Sequence, residues 1–275
     1  MHYKTLGKSA LSISEIGFGC MSLGTDDNAN TLLIGRALEK GINFFDTADL
    51  YQQGQNEISV GRALQQKRKD VIIATKVGNQ WRADGSGWDW NPRKEYILQA
   101  ADKSLARLQT DYIDLYQLHG GTLDDPIDET IEAFEYLQQQ GKIRYYGISS
   151  IRPNTIREYV KRSNIVSVMM QYSLLDRRPE ETAIPLLLEN NIGVLARGGL
   201  AKGLLVNKPA APYLNYSEAQ AALAAEAIQR LSGPLRNAAQ TAVQFVLQQP
   251  GIACAVTGIR TEEQLDEIAA TPLVA

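Results

Sequence analysis

The chain has 275 residues, of which 44% are hydrophobic and 21% charged, with a formal net charge of −3. That length is enough for a full hydrophobic core, in one large α/β domain or two smaller ones. A balance so close to neutral argues against concentrated positive charge, so neither nucleic acid nor a membrane surface is an expected partner.

The N-terminus, Met1-His2-Tyr3-Lys4-Thr5, lacks the long apolar stretch of a signal peptide, and no segment approaches the roughly 20 apolar residues of a membrane helix. Cys20 and Cys254 are far apart and lack the spacing of a zinc site or a disulfide scaffold. A cytoplasmic protein is expected, a monomer or weak homo-oligomer, with no metal.

The first predicted element is a hairpin, in which residues 3–6 and 11–13 flank Gly7-Lys8. Strands follow at residues 15–19, 43–46, 71–77, 112–118, 143–149, 166–171, 193–196 and 253–257. The helical stretches between them include residues 30–40, 92–108, 127–140, 153–163 and 261–269. Asn91-Pro92 reads as a cap followed by a first-turn proline, and Gly41 and Gly141 read as helix stops. No linker divides the repeats, so one domain over residues 1–275 is expected. The predicted fold is an α/β (β/α)8 TIM barrel with the hairpin closing its bottom. An open doubly wound sheet would carry Gly-x-Gly-x-x-Gly after its first strand. Gly17-Phe18-Gly19 begins like one, but Ser22 stands where the third glycine belongs.

In such a barrel, function sits on the loops after the strand C-termini. Asp46 and Tyr51 follow the second strand, Lys76 ends the third, and His119 follows the fourth. A tyrosine, with an ordinary pKa of about 10, delivers a proton at neutral pH only if a nearby cation stabilises the phenolate. Lys76 supplies such a cation and Asp46 keeps it charged, while His119 donates a hydrogen bond to a carbonyl oxygen. Taken singly, each has a duller reading: a capping aspartate, a tyrosine closing the core, a solvated lysine, a satisfied core histidine. Their joint placement on successive strands favours a site.

These residues lie in motifs that resemble the aldo-keto reductase superfamily nearly end to end. The matching segments are residues 11–24, 43–51 (with Asp46-Thr47-Ala48-Asp49-Leu50-Tyr51), 74–77, 111–119, 141–149, 171–177 and 258–265. The resemblance implies an NADP(H)-dependent carbonyl reductase with Tyr51 as general acid, tuned by Lys76 and Asp46. It implies nicotinamide contacts from Ser149 and Gln171, and further cofactor contacts from Gly19, Met21, Asp46, Ser150, Gly198, Leu200, Gly258 and Glu267. Arg260, Thr261 and Gln264 match the segment that receives the adenosine 2′-phosphate, where a guanidinium and a hydroxyl near a helix N-terminus suit an anion.

Several positions depart from the family pattern. Ser149-Ser150 replaces a usual Ser-Asn, and Arg197-Gly198-Gly199 replaces a Tyr-Ser-Pro whose tyrosine stacks on the nicotinamide. A planar guanidinium also stacks on rings, so Arg197 is kept as a cofactor residue. Gln264 stands where arginine is common and Ile268 where asparagine is usual. NADP(H) remains the expected cofactor, with NAD(H) a second candidate.

All three tryptophans, Trp81, Trp88 and Trp90, fall in residues 78–91. Trp81 and Trp88 are candidate substrate contacts beside Tyr51 and His119, with anchoring of a long loop as the equal alternative. Residues 205–218, with two prolines and two tyrosines, are a candidate lid. The expected partner is a small carbonyl or alcohol. The competing function is a regulatory or redox-sensing NADP(H)-binding protein with little turnover; a barrel lyase or isomerase is disfavoured by the lack of a metal or Schiff-base arrangement.

Overall fold

The computed structural model describes residues 1–271. Strands β1 (Tyr3–Thr5) and β2 (Ser12–Ser14) form an antiparallel hairpin. Then come β3 (Ile16–Gly19), β4 (Phe44–Asp46) and β5 (Ile72–Val77), a second hairpin of β6 (Asn79–Trp81) and β7 (Trp88–Trp90), and β8 (Ile113–Leu118). The chain continues through β9 (Ile143–Ser149), β10 (Ser167–Gln171), β11 (Gly193–Arg197) and β12 (Ile252–Gly258). Strands β3, β4, β5, β8, β9, β10, β11 and β12 close in that order into a parallel barrel. The fold is a (β/α)8 barrel.

The helices are α1 (Asp27–Glu39), α2 (Gln55–Leu64), α3 (Lys94–Leu108), α4 (Ile127–Gln139) and α5 (Pro153–Arg162), then α6 (Ala183–Glu189), α7 (Glu218–Leu231), α8 (Ala238–Leu247) and α9 (Glu262–Ala269). Helix α1 starts earlier than its apolar spacing predicts, because Asp26 accepts from the backbone N–H groups of Asn28 and Ala29. Helix α3 starts later than Pro92 suggests: the Glu129 carboxylate of α4 accepts from the Lys94 N–H at 2.9 Å, so a neighbouring helix supplies the cap. The stretch expected to be a long loop after β5 is the β6–β7 hairpin, which pairs Trp81 with Trp88.

Alternate residues along each strand pack into two different layers. Phe44, Ile72, Leu115, Leu195 and Cys254 point into the barrel, where they meet Leu6, Leu11 and Ile13 from the first hairpin. Their neighbours Phe45, Ile73 and Val194 pack outwards with helix residues such as Ile34, Val60 and Ile97. The hairpin therefore plugs the N-terminal end of the barrel, and the C-terminal end remains open.

Gly7, at the hairpin tip, has φ of 52°, and a β-carbon there would lie 2.5 Å from the Val166 carbonyl oxygen and 2.6 Å from the Gly193 nitrogen. Those neighbours are backbone atoms of the barrel and cannot swing away. Gly7→Ala is expected to cost about 3 kcal/mol, combining left-handed strain with a forced shift of the plug. Urea unfolding checks this, and a loss below about 1 kcal/mol would show that the plug is free to move.

Candidate active site

The same alternation brings one inward-facing position from each barrel strand to, or just past, the open rim. These positions are Gly19, Asp46, Lys76, His119, Ser149, Gln171, Arg197 and Gly258, with Gly258 opposite Gly19, Gly19 opposite Asp46, and Gln171 opposite Arg197 in register. All except the fully covered Lys76 line a groove of ≈ 1140 Å³. A second cavity of ≈ 580 Å³ adjoins it at Met21, Leu50 and Tyr51 and is completed by Gln52, Gln53 and Trp81.

Lys76 is 1% exposed. Its Nζ donates to Asp46 Oδ2 at 2.7 Å, to the Thr47 carbonyl at 2.8 Å and to the Tyr51 hydroxyl at 3.4 Å. Burial alone lowers a lysine pKa, but Asp46 and Tyr51 outweigh it and the Lys76 pKa is raised. Gln117, the inward residue before His119, donates to the other Asp46 oxygen at 3.4 Å. Burial outweighs Lys76 at Tyr51, whose pKa is raised, so the phenol is protonated at neutral pH.

His119 is held by its own backbone N–H, which donates to the Val77 carbonyl at 2.7 Å. Its ring meets Tyr51 edge-on, with centroids 5.9 Å apart. Burial, then Lys76 and Arg197, lower its pKa to about 3, so the imidazole is neutral and retains one N–H to donate. Buried Nδ1 has no protein partner.

Asp49, between Asp46 and Tyr51, is also buried, and its Oδ1 has no partner. Burial and the nearby Glu57 push its pKa up to about 8. Unfolded, it titrates near 4, so the folded protein holds the extra proton: this stability is full below about pH 4 and is lost as pH rises through 8. Asp49→Asn, which mimics the protonated acid, should exceed the natural chain by only about 1 kcal/mol near pH 5 and by a few kcal/mol near pH 9. Denaturant unfolding at both pH values checks this, and a pH-independent difference would contradict it.

The remaining expected site residues divide by position. Met21, Ser150 and Gly198 line the large groove, whereas Leu200 packs half-buried against the apolar core. Arg197 Nη1 donates to Gln171 Oε1 at 3.3 Å, and Gln171 Nε2 donates to Asp176 Oδ2 at 3.0 Å and the Tyr213 hydroxyl at 2.9 Å. Arg260 and Thr261 line a separate cavity of ≈ 390 Å³ beside Gly24 and Asp26. Gln264 faces its own helix start: Oε1 accepts from the Arg260 N–H at 3.0 Å and its backbone N–H donates to Thr261 Oγ1 at 3.2 Å. Glu267 Oε1 accepts from Asn237 Nδ2 at 2.7 Å.

The tryptophans have three different settings. Trp81 lines the smaller cavity beside Tyr51, Trp88 is 46% exposed and lines neither cavity, and Trp90 donates to Asp125 at 2.9 Å and anchors the hairpin. In the candidate lid, Leu205 and Tyr213 are buried and Tyr216 is exposed. Sequence reasoning missed Thr47 and Gln117, and it placed Tyr213 in the candidate lid without its contact to Gln171. Gln117 carried a usable signal, since it lies two residues before His119 on the same strand face.

The model of the Aldo/keto reductase family matches residues 15–272. The chain belongs to the aldo/keto reductase family. This aldo/keto reductase is 54% identical over 276 residues to the uncharacterized oxidoreductase YqkF of Bacillus subtilis (strain 168), covering 97% of this chain and 90% of that one. It is 34% identical over 211 residues to the NADP(+) aldo-keto reductase yakc of Schizosaccharomyces pombe, covering 73% of this chain and 62% of that one. Among solved structures, the holo form of aldo-keto reductase AKR11C1 from Bacillus halodurans superposes with a TM-score of 0.93 at 52% identity, covering 98% of this chain and 90% of that one. Family and relatives make the protein an oxidoreductase acting on small molecules. Among the described residues, no helix of this aldo/keto reductase is long and apolar enough to cross a membrane.

Proposed function

We propose that this aldo/keto reductase reduces aldehydes or ketones to alcohols, or runs the reverse reaction, with NADP(H). The observation that carries the reading is the buried Lys76, 2.7 Å from Asp46 and 3.4 Å from the Tyr51 hydroxyl, both of which line an open groove.

The carbonyl oxygen accepts hydrogen bonds from the Tyr51 hydroxyl and the His119 N–H, which polarises the carbonyl and fixes its direction. When bound, the nicotinamide cofactor supplies the hydride. As negative charge grows on the oxygen, Tyr51 delivers its proton, and the phenolate left behind faces the Lys76 cation. A neutral His119 suits this division of labour, because it positions the oxygen without competing as the acid. Trp81 and Leu50 supply an apolar wall for the rest of the substrate.

The lining of the groove suits the nicotinamide end of a dinucleotide, and the separate cavity at Arg260 and Thr261 suits its adenosine phosphate. Ser149 and Gln171 are assigned to the carboxamide, with Gln171 exchanging Asp176 or Tyr213 for the new partner. Arg197 is assigned to the ring face, and Arg260 and Thr261 to the adenosine phosphate. The name of the S. pombe relative supports NADP(H).

Mixing the protein with NADPH, reading nicotinamide fluorescence and then following NADPH consumption with a panel of aldehydes tests the proposal. No binding refutes it, and binding without turnover favours a regulatory NADP(H)-binding role. Since His119 stays neutral down to about pH 3, kcat/KM for reduction should show no acid limb near the ordinary histidine value of about 6.5. An acid limb at that pH that vanishes in His119→Gln would contradict the neutral assignment.

A further inference from the structure

On the outer face of the strands, behind the site, a second set of buried polar groups is tied to the turn that carries Tyr51. Glu57, in the first turn of α2, is fully buried. Its Oε1 accepts from Thr75 Oγ1 at 2.6 Å, and its Oε2 accepts from Arg107 Nε on α3 at 2.6 Å. Asn56, equally buried, accepts from Thr47 Oγ1 at 2.6 Å and donates to the Cys20 carbonyl at 2.8 Å. Thr47 adjoins Asp46 and Thr75 adjoins Lys76. The start of α2 is thus fastened to the two residues that frame the site.

Between Tyr51 and α2 the backbone is left-handed three times in succession, at Gln52 (φ 51°), Gln53 (φ 54°) and Gly54 (φ 88°). Each non-glycine residue in that region costs roughly 1 to 2 kcal/mol, so the turn persists only because its surroundings impose it. Two contacts on the turn are direct: Gln52 Nε2 donates to the Leu23 carbonyl at 3.0 Å, and Arg107 packs against Gly54. A β-carbon on Gly54 would lie 2.8 Å from Arg107 Cδ and 2.9 Å from its Nε, so the end of the Arg107 side chain packs closely against the Gly54 backbone.

Apolar residues already hold α2 on the barrel, since Val60 and Leu64 are fully buried. A buried ion pair adds little net stability there, because desolvation offsets most of its attraction. It adds a fixed geometry instead, through a guanidinium whose Nε donates to Glu57 and whose Nη2 donates to Ser104 Oγ at 3.2 Å while its edge packs on Gly54.

We propose that Arg107, acting through Glu57 and Gly54, is a positioning residue for Tyr51. The pair imposes the strained turn at residues 51–54 and thereby sets the distance from the Tyr51 hydroxyl to Lys76. Arg107 lines neither cavity and touches no reacting atom. The idea rests on the carbonyl-reductase reading of the rim, so its test includes a readout that needs no turnover.

The variants are Arg107→Lys, which keeps the charge without the guanidinium contacts, and the double Arg107→Met/Glu57→Gln, which leaves no unpaired buried charge. Misplacing a reacting group by about 1 Å costs about a hundredfold, so the double variant should lose about ten- to a hundredfold in kcat with KM and cofactor affinity unchanged. Arg107→Lys should recover part of that loss. In parallel, the Tyr51 resonance in a protein labelled at the tyrosine ζ-carbon, assigned through Tyr51→Phe, should shift and titrate at a different pH in the double variant. A folded double variant with natural kcat and an unmoved Tyr51 signal overturns the proposal, as does an Arg107→Lys variant that recovers nothing while the Tyr51 signal stays in place. If the natural protein reduces no carbonyl, the function reading fails, and the resonance alone decides: a shifted signal upholds the positioning role and an unmoved one refutes it.

Discussion

Replacing Tyr51 with phenylalanine is expected to lower kcat/KM for aldehyde reduction by about a thousandfold while cofactor binding stays unchanged. A positioned general acid contributes typically 10²- to 10⁴-fold, and no other protonated group stands where Tyr51 does. Neutral His119 is the nearest candidate substitute, but burial and the neighbouring Lys76 and Arg197 oppose the charge it would need to act as an acid. The fold should tolerate the change. Lys76 keeps Asp46 at 2.7 Å and the Thr47 carbonyl at 2.8 Å, so only its longest contact, at 3.4 Å, is removed. Steady-state kinetics beside a fluorescence titration of NADPH checks both halves. Turnover within tenfold of the natural chain would remove Tyr51 from its role.

Lys76→Met should be the more damaging substitution, because it acts on stability and chemistry together. It leaves the Asp46 carboxylate, 4% exposed, facing Gln117 without its cation. Breaking a buried pair in this way costs about 3 to 5 kcal/mol, part of which Asp46 recovers by taking up a proton. Tyr51 loses the charge that stabilises its phenolate, so kcat should fall at least as far as in Tyr51→Phe. The double variant Asp46→Asn/Lys76→Met separates the two effects: stability should return to within about 1 to 2 kcal/mol of the natural chain, while activity should not return. Denaturant unfolding and kinetics on the same three proteins decide it. A single variant as stable as the natural chain would mean that the pair is not buried as described.

The strand ends that carry the site were legible because β-branched or aromatic runs there meet a polar residue at or just past the strand end, as with Phe44-Phe45-Asp46, Lys76 before Val77 and His119 after Leu118. Period-two alternation then decides which side faces inwards, so Asp46, Lys76 and His119 converge without any information from the helices. The starts of α1 and α3 were less legible, since one depends on Asp26 and the other on a carboxylate from α4. The β6–β7 hairpin was hidden because Trp81 and Trp88 pair across a turn whose glycines read equally well as loop. The contacts of Gln171 with Asp176 and Tyr213, and of Glu57 with Thr75 and Arg107, span 5 to 50 residues and leave no periodic trace in the chain. Such contacts are tertiary, and only the closed barrel brings their partners together.

In the proposed reaction, this rim passes a hydride to a carbonyl carbon and a Tyr51 proton to its oxygen. The most direct measurement is a single turnover of an aldehyde with NADPH deuterated at the transferable C4 position, in the natural chain and in Tyr51→Phe. The alcohol formed by the natural chain should carry the label on its carbinol carbon, and Tyr51→Phe should form the same labelled alcohol at about a thousandth of the rate. Unlabelled alcohol, or equal rates in the two proteins, would contradict it.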